Sequence, residues 1–161
     1  TVGVELHRTL ETMDAVFVSL GGGGLIGGLG TYLKSVLTSV EVVAVSPEQS
    51  PAMHECLEAG KIIDVPCYDT LSDGTAGGVE PGAITFDVCR EVVDRSLLVS
   101  EEAIADAMKT FMEKHRMMLE GAAGVALAGF AQVAKEYANK RVAIVICGAN
   151  ISLEKLNGVI K

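Results

Sequence analysis

Apolar residues in this chain follow two patterns: short continuous runs, and longer stretches in which they recur every three or four positions. Continuous apolar runs are typical of strands buried on both faces, because a half-exposed strand would alternate apolar and polar residues. The runs occupy residues 15–20, 41–46, 97–99 and 142–146. We therefore predict four buried strands, the second of which stops at Pro47.

Helical spacing fills the intervals between these runs. It predicts six helices, over residues 4–12, 25–36, 52–59, 86–93, 101–118 and 125–137. Ser100 stands at the N-cap position of the fifth helix, and Glu101 and Glu102 in its first turn favour the helix dipole. Strands that alternate with helices, and are apolar throughout, predict an α/β fold: a three-layer open, mainly parallel sheet with helices on both faces.

Length and composition indicate one globular domain. A chain of 161 residues with 49% apolar and 21% charged residues is neither disordered nor fibrous. The sequence opens at Thr1, without Met and as if in the middle of a domain. We therefore expect residues 1–161 to be a single α/β domain that forms the C-terminal portion of a longer chain.

Net charge and cysteine spacing indicate which partners the protein can bind and in which cellular compartment it lies. The net charge of −8 disfavours binding to nucleic acid and to anionic lipid surfaces. No apolar run approaches the roughly 20 residues of a transmembrane helix. The four cysteines show no Cys-x-x-Cys spacing, which favours reduced thiols. We expect a cytoplasmic protein that binds neither nucleic acid nor membranes.

The most distinctive motif is a run of four glycines, Gly21 to Gly24, directly after the first predicted strand. Successive backbone N–H groups without side chains can approach an anion, and the N-terminus of the next helix adds partial positive charge. This predicts a phosphate site, with a tight strand-to-helix turn as the competing interpretation. Gly22, Gly24 and Gly27 also match the dinucleotide fingerprint, but the acid expected at the end of the second strand is missing or displaced.

Two further segments have the composition of a site. Residues 61–82 form a loop of a length that compact domains seldom carry without a functional reason. The segment Cys147–Asn150 follows the last predicted strand directly. Loops at the carboxyl ends of parallel strands bind ligands in open α/β sheets. We therefore expect these loops and the glycine run to converge on one pocket.

In order and spacing, four motifs resemble those of the fold-type II pyridoxal-phosphate enzymes, especially the threonine and serine dehydratases and the serine racemases. The motifs are Gly21–Gly24, Asp73–Gly74, Glu120–Gly124 and Cys147–Asn150. The resemblance implies the large-domain part of the tryptophan synthase β-like fold and pyridoxal 5′-phosphate as cofactor. It implies cofactor binding by Gly21, Gly22, Gly23, Gly24, Leu25, Gly74, Glu120 and Cys147.

The resemblance also implies a role for each part of the site. The glycine loop binds the cofactor phosphate, Gly74 and Glu120 lie beside the ring, and Cys147 faces the pyridine nitrogen. A neutral thiol there leaves the ring unprotonated and less able to store electrons, which suits β-elimination of a hydroxyl group. The residues alone favour simpler alternatives: a small buried side chain for Cys147 and a helix-capping acid for Glu120.

The sequence departs from the family pattern in two respects. The family's Schiff-base lysine lies in a Ser-x-Lys-x-Arg-Gly segment, and none of the eight lysines here has that setting. We therefore assign no catalytic residue within this chain. Metal-activated members carry two acids where this sequence has Ser46 and Ala52, so we predict no divalent metal site. His54, Glu55 and Cys56 are close in sequence but on different faces of a predicted helix.

Taken together, the resemblance implies a dehydratase, or ammonia-lyase, that acts on a β-hydroxy amino acid such as threonine, serine or 3-hydroxyaspartate. The alternatives are an amino-acid racemase on the same scaffold and a non-catalytic phosphate- or dinucleotide-binding domain. We expect a small amino-acid substrate and a homo-oligomer, most simply a dimer, for the full-length protein. Without the lysine, the chain by itself is expected to be inactive.

Overall fold

A four-stranded parallel sheet forms the centre of the computed structural model, which describes residues 2–160. The strands are β1 (Ala15–Ser19), β2 (Glu41–Pro47), β3 (Arg95–Val99) and β4 (Val142–Ile144). They lie in the order β3-β2-β1-β4, and all three neighbouring pairs are parallel. The predicted α/β architecture is therefore confirmed.

Seven α-helices occur within the part of the chain that the structure describes. They are α1 (Val2–Leu10), α2 (Gly24–Val36), α3 (Ala52–Ala59), α4 (Ile84–Val92), α5 (Glu101–His115), α6 (Gly121–Val133) and α7 (Leu153–Ile160). The first six correspond to predicted helices, and α7 was not predicted. Among these residues, no helix combines the length and the apolar composition needed to cross a bilayer.

Several predicted boundaries are wrong, among them those of α6, which spans Gly121–Val133 and not residues 125–137. Helix α5 ends at His115, not at residue 118, because Arg116 adopts the left-handed conformation (φ 57°) and its N–H donates to Met112 O at 3.0 Å. Strand β2 continues through Pro47, which pairs with Val99. Proline is tolerated at this last position because the pairing ends there and its missing N–H costs no ladder hydrogen bond.

The helices cover both faces of the sheet, which explains the continuous apolar runs. Val16 and Val18 of β1 belong to a core shared with α1, α2, α3 and α4, whereas Ala15 and Phe17 belong to a core shared with α5, α6 and α7. All four side chains are fully buried. A strand that is covered on both faces has no solvent-facing position where a polar residue would be favoured.

Parallel pairing brings the carboxyl ends of the strands to one edge of the sheet. Gly21 to Gly24 follow β1 there, and Cys147 follows β4, the neighbour of β1. Residues 61–82 contain one regular element, a 3₁₀ turn at Asp73–Thr75. That turn lies at the same edge, as the cavity described next shows.

Candidate functional site

A cavity of about 280 Å³ lies at this edge of the sheet. Four separate segments wall it: the glycine loop with the start of α2, the Asp73–Thr75 turn, the start of α6, and the segment after β4. Its lining residues are Ser19, Gly21, Gly22, Gly23, Gly24, Leu25, Ile26, Gly74, Thr75, Glu120, Ala122 and Cys147. The structure thus brings together all eight residues for which the sequence predicted a site role.

The glycine loop and the first turn of α2 line this cavity with residues whose backbone N–H groups have no partner. Helix α2 starts at Gly24, and its first internal hydrogen bond runs from Gly27 N–H to Gly23 O at 2.9 Å. Within residues 2–160, the N–H groups of residues 21–26 have no acceptor in the protein. Unpaired N–H groups at a helix N-terminus are suited to bind an anion, and phosphate binding by this loop stays a prediction.

Two neighbouring segments contact the backbone of the glycine loop, one at Gly23 and one at Gly21. Gly23 has φ +83°, a conformation that favours glycine, and its carbonyl accepts a hydrogen bond from the thiol of Cys89 at 3.6 Å. Burial raises the pKa of that thiol to about 11, so Cys89 keeps its hydrogen. A Cβ atom on Gly21 would lie 2.8 Å from Thr75 Cα, whereas one on Gly22 or Gly24 would meet nothing within 4 Å. The loop is closely packed at its start and open toward the cavity further on.

The Asp73–Thr75 turn packs against the start of the glycine loop and is fixed by polar contacts. The hydroxyl groups of Ser72 and Thr75 lie 2.6 Å apart, and Asp73 Oδ1 accepts a hydrogen bond from Gly74 N–H at 3.0 Å. Lys155 of α7 donates to Asp73 Oδ2 at 2.7 Å. This hydrogen bond from the ammonium group lowers the pKa of the Asp73 carboxyl group, which keeps the ion pair charged near neutral pH.

Glu120 connects two other walls of the cavity. It occupies the N-cap position of α6, but its side chain makes no capping hydrogen bond, so the helix-capping alternative is wrong. Instead, its Oε2 accepts from Asn150 N–H at 3.1 Å, and its own N–H donates to Gly148 O at 3.1 Å. A Cβ atom on Gly148 would lie 2.4 Å from Glu120 Oε1, which explains glycine at that position.

Cys147, in the segment after β4, also lines the cavity. Its side chain is exposed and forms no disulfide, so the alternative of a small buried residue is also wrong. Its Sγ lies 3.4 Å from Ser19 Oγ. Four further lining residues were not predicted from the sequence: Ser19, Ile26, Thr75 and Ala122. For Ser19 a signal was available, since it is the last residue of the strand that leads into the glycine loop.

The residues considered for a metal have other contacts. Ser46 Oγ donates to Leu20 O at 3.1 Å, and His54 Nδ1 lies 2.7 Å from Ser96 Oγ. Within residues 2–160, no group of three or more His, Cys, Asp or Glu side chains is arranged to hold a metal ion. No lysine lines the cavity either.

A larger groove, of about 860 Å³, lies between α5, α6 and the end of β3. Its walls are mostly apolar, and it contains none of the residues that the sequence predicted for a site. We therefore assign the candidate site to the cavity at the glycine loop.

The chain is similar to known proteins in both sequence and structure. The L-threonine ammonia-lyase of Geobacter sulfurreducens is 34% identical over 161 residues, which are the whole of this chain and 40% of that protein. The structure is similar to that of the processed form of threonine deaminase isoform 2 from Solanum lycopersicum, with a TM-score of 0.92 and 34% identity over 99% of this chain and 47% of that one.

A serine racemase is similar as well. The Dictyostelium discoideum enzyme has a TM-score of 0.84 and 30% identity over 94% of this chain and 48% of its own. The chain therefore spans less than half the length of each of these three proteins. The family model described as pyridoxal-phosphate dependent enzyme matches residues 1–148. This match covers nearly the whole chain, and the chain belongs to the pyridoxal-phosphate dependent enzyme family.

Proposed function

We propose that the full-length protein is a pyridoxal-phosphate-dependent dehydratase, or ammonia-lyase, of a β-hydroxy amino acid such as threonine, serine or 3-hydroxyaspartate. The observation that carries the proposal is that six N–H groups without an acceptor in the described chain and the thiol of Cys147 belong to residues that line one cavity. The name of the Geobacter relative, L-threonine ammonia-lyase, supports the same reaction class.

The cavity fits the phosphate group of the cofactor. Gly22 and Gly24 leave open space where side chains would otherwise stand, and the N–H groups of residues 21–26 have no acceptor in the described chain. No Lys or Arg lines the cavity, so the N–H groups and the N-terminus of α2 would supply the positive potential. In this proposal Gly21, Gly22, Gly23, Gly24 and Leu25 bind the phosphate.

The pyridine ring would occupy the part of the cavity that Gly74, Glu120 and Cys147 line. Pyridoxal phosphate, when bound, supplies an electron sink for the reaction. Cys147 would donate its thiol hydrogen to the ring nitrogen, while Gly74 and Glu120 would lie beside the ring. Because such a hydrogen bond would leave that nitrogen unprotonated, the ring would store electrons less well, which suits β-elimination of a hydroxyl group over reactions that need a long-lived carbanion.

Glu120 would act mainly by fixing the shape of the site. Its carboxylate lies between Gly148 and Gly74, at 3.6 Å from the position of a Cβ atom on Gly74. Its hydrogen bond from Asn150 N–H holds the segment that carries Cys147. The thiol and the turn at Gly74 are therefore kept at a constant separation, which gives the ring a slot between them.

The remaining parts of the proposal concern the protein as a whole. We propose that residues 1–161 form one α/β domain, the C-terminal portion of a longer catalytic chain, and that the Schiff-base lysine lies outside them. The domain alone would then be inactive. We further propose a cytoplasmic homodimer with a small amino-acid substrate and no nucleic-acid or membrane partner, in line with the net charge of −8.

The test is an assay of the full-length protein with L-threonine, L-serine and 3-hydroxyaspartate. A dehydratase releases ammonia and a 2-oxo acid, both of which can be quantified, and forms little of the opposite enantiomer. Faster formation of the enantiomer would favour the racemase alternative, which the similarity to the Dictyostelium serine racemase supports. Failure to bind pyridoxal phosphate would leave a phosphate- or dinucleotide-binding domain.

A further inference from the structure

Ser19 and Cys147 form a contact for which the proposed function has no role so far. Ser19 ends β1 and Cys147 follows β4, and because these strands are parallel neighbours both side chains reach the same cavity. Ser19 Oγ and Cys147 Sγ lie 3.4 Å apart. Within residues 2–160, this thiol is the hydrogen-bond partner of the Ser19 hydroxyl group, and Ser19 is only 6% exposed.

The direction of this hydrogen bond follows from the donors and acceptors available. A thiol has one hydrogen to donate, and its sulfur can accept another. If the thiol hydrogen is given to a nitrogen in the cavity, the sulfur remains free to accept. The Ser19 hydroxyl group has no other acceptor in the described chain, so donation to Sγ satisfies it.

We infer that Ser19 is a positioning residue: its hydroxyl group donates to Cys147 Sγ and thereby turns the thiol hydrogen toward the cavity. This inference rests on the proposed function for the identity of the acceptor, the pyridine nitrogen. The contact between the two side chains stands on the geometry alone. The charged side chain that shares the cavity is Glu120, whose Oε2 already accepts from Asn150 N–H.

The first experiment tests the contact without the cofactor. Full-length protein freed of pyridoxal phosphate is treated with iodoacetamide at pH 7, and the alkylation of Cys147 is followed by peptide mass spectrometry. A hydrogen bond donated to sulfur stabilises the thiolate, which is the reactive form. Ser19→Ala is therefore expected to slow alkylation about two- to tenfold, the range that follows from the net energy of one hydrogen bond.

Two variants serve as controls for this measurement. Ser19→Thr keeps the hydroxyl group that donates to Cys147 Sγ. The alkylation rate of this variant is therefore expected to lie within about twofold of the parent rate. Ser35→Ala removes an exposed hydroxyl group on α2 that donates to Tyr32 O, and should leave the rate unchanged. Equal or faster alkylation in a folded Ser19→Ala protein would overturn the inference.

The second experiment tests the direction of the thiol hydrogen. The dissociation constant of pyridoxal phosphate is measured for the parent, Ser19→Ala, Cys147→Ala and the double variant. Ser19→Ala should weaken binding about two- to tenfold when Cys147 is present and have little effect in its absence. An equal loss in both backgrounds would show that Ser19 acts on its own and would refute the inference.

The two experiments fail in distinguishable ways. If the parent protein does not bind pyridoxal phosphate, the proposed function is wrong, and the alkylation rates still decide whether Ser19 donates to Cys147. If the parent binds the cofactor but Ser19→Ala alters neither measurement, the positioning role is wrong and the proposed function stands.

Discussion

Two helices of this fold begin in glycine-rich segments, α2 at Gly24 and α6 at Gly121. The space around the glycines differs between the two segments. At α2, a Cβ atom on Gly22 or Gly24 would meet nothing within 4 Å. At α6, a Cβ atom on Gly121 would lie 1.9 Å from Leu71 O. The first segment leaves space for a ligand, whereas the second lets another part of the chain approach closely.

The difference shows that a count of glycines does not reveal their purpose. Both segments lie at the same edge of the sheet and both line the cavity, so position in the fold does not separate them either. What separates them is the segment that lies over each helix start. Residues 70–72 cover the start of α6 and are held there by Glu101, which accepts from Thr70 Oγ1 at 2.6 Å and from Leu71 N–H at 2.7 Å.

The largest effect is expected for Gly121→Ala. The added methyl group would collide with the backbone carbonyl of Leu71, and this segment is held in place by the hydrogen bonds that Leu71 N–H and the Thr70 hydroxyl group donate to Glu101. We expect a loss of about 3 kcal/mol in the free energy of unfolding, the upper end of the usual cost of overpacking. Denaturant titration would measure it, and a loss below about 0.5 kcal/mol would show that the two segments are not closely packed.

Gly22→Ala is expected to affect ligand binding while stability stays nearly constant. The methyl group meets no protein atom, and Gly22 does not have a positive φ, so the loop tolerates alanine. It would, however, occupy space in front of the N–H groups. We expect the affinity for pyridoxal phosphate, or for inorganic phosphate as a simpler probe, to fall roughly tenfold, which corresponds to about 1.4 kcal/mol. Isothermal titration calorimetry would measure the change.

A contrary result for Gly22→Ala would also be informative. If alanine lowered stability by more than 1 kcal/mol but left affinity unchanged, the two glycine segments would both serve packing. The contrast between α2 and α6 would then disappear.

The apolar pattern was sufficient to predict the sheet and six of the helices. Buried parallel strands need apolar residues on both faces, and the runs at Ala15–Ser19 and Glu41–Pro47 follow that rule. The glycine loop could be placed as well, because a strand followed by Gly21 to Gly24 and a helix has few other geometries. Local pattern therefore predicted the elements and the carboxyl-edge position of the cavity.

Other features depend on contacts between distant segments, and local pattern carried no sign of them. Helix α7 was missed because its short sequence includes Asn157 and Gly158, which disfavour helix in isolation. Arg116 ends α5 in a left-handed conformation that the apolar spacing through Met118 did not indicate. The contact between Ser19 and Cys147 depends on the pairing of β1 with β4, which the local sequence did not indicate. Tertiary packing decided each of these points.

Gly129→Ala tests whether close packing continues along α6. A Cβ atom on Gly129 would lie 2.5 Å from Val45 Cγ2, in the fully buried strand β2. Overpacking costs roughly 1–3 kcal/mol, and the higher helix propensity of alanine offsets about 1 kcal/mol, so we expect a net loss of about 1 kcal/mol. Val45→Ala should make room for the methyl group, and the double variant should be more stable than the sum of the two losses predicts. Strict additivity would contradict the contact.

The smallest effect is expected for Gly28→Ala, which adds the same methyl group to α2 at an exposed position where it meets nothing within 4 Å. Alanine loses less backbone entropy than glycine when a helix forms, and no neighbour opposes it. We therefore expect the free energy of unfolding to rise by up to about 1 kcal/mol, with no change in phosphate affinity because Gly28 lies outside the cavity lining. The same denaturant titration used for Gly129→Ala would report it. A lower free energy of unfolding for Gly129→Ala and a higher one for Gly28→Ala would show that packing requires glycine at position 129 but not at position 28. A loss of stability in Gly28→Ala would instead show that this face of α2 is covered in the full-length protein.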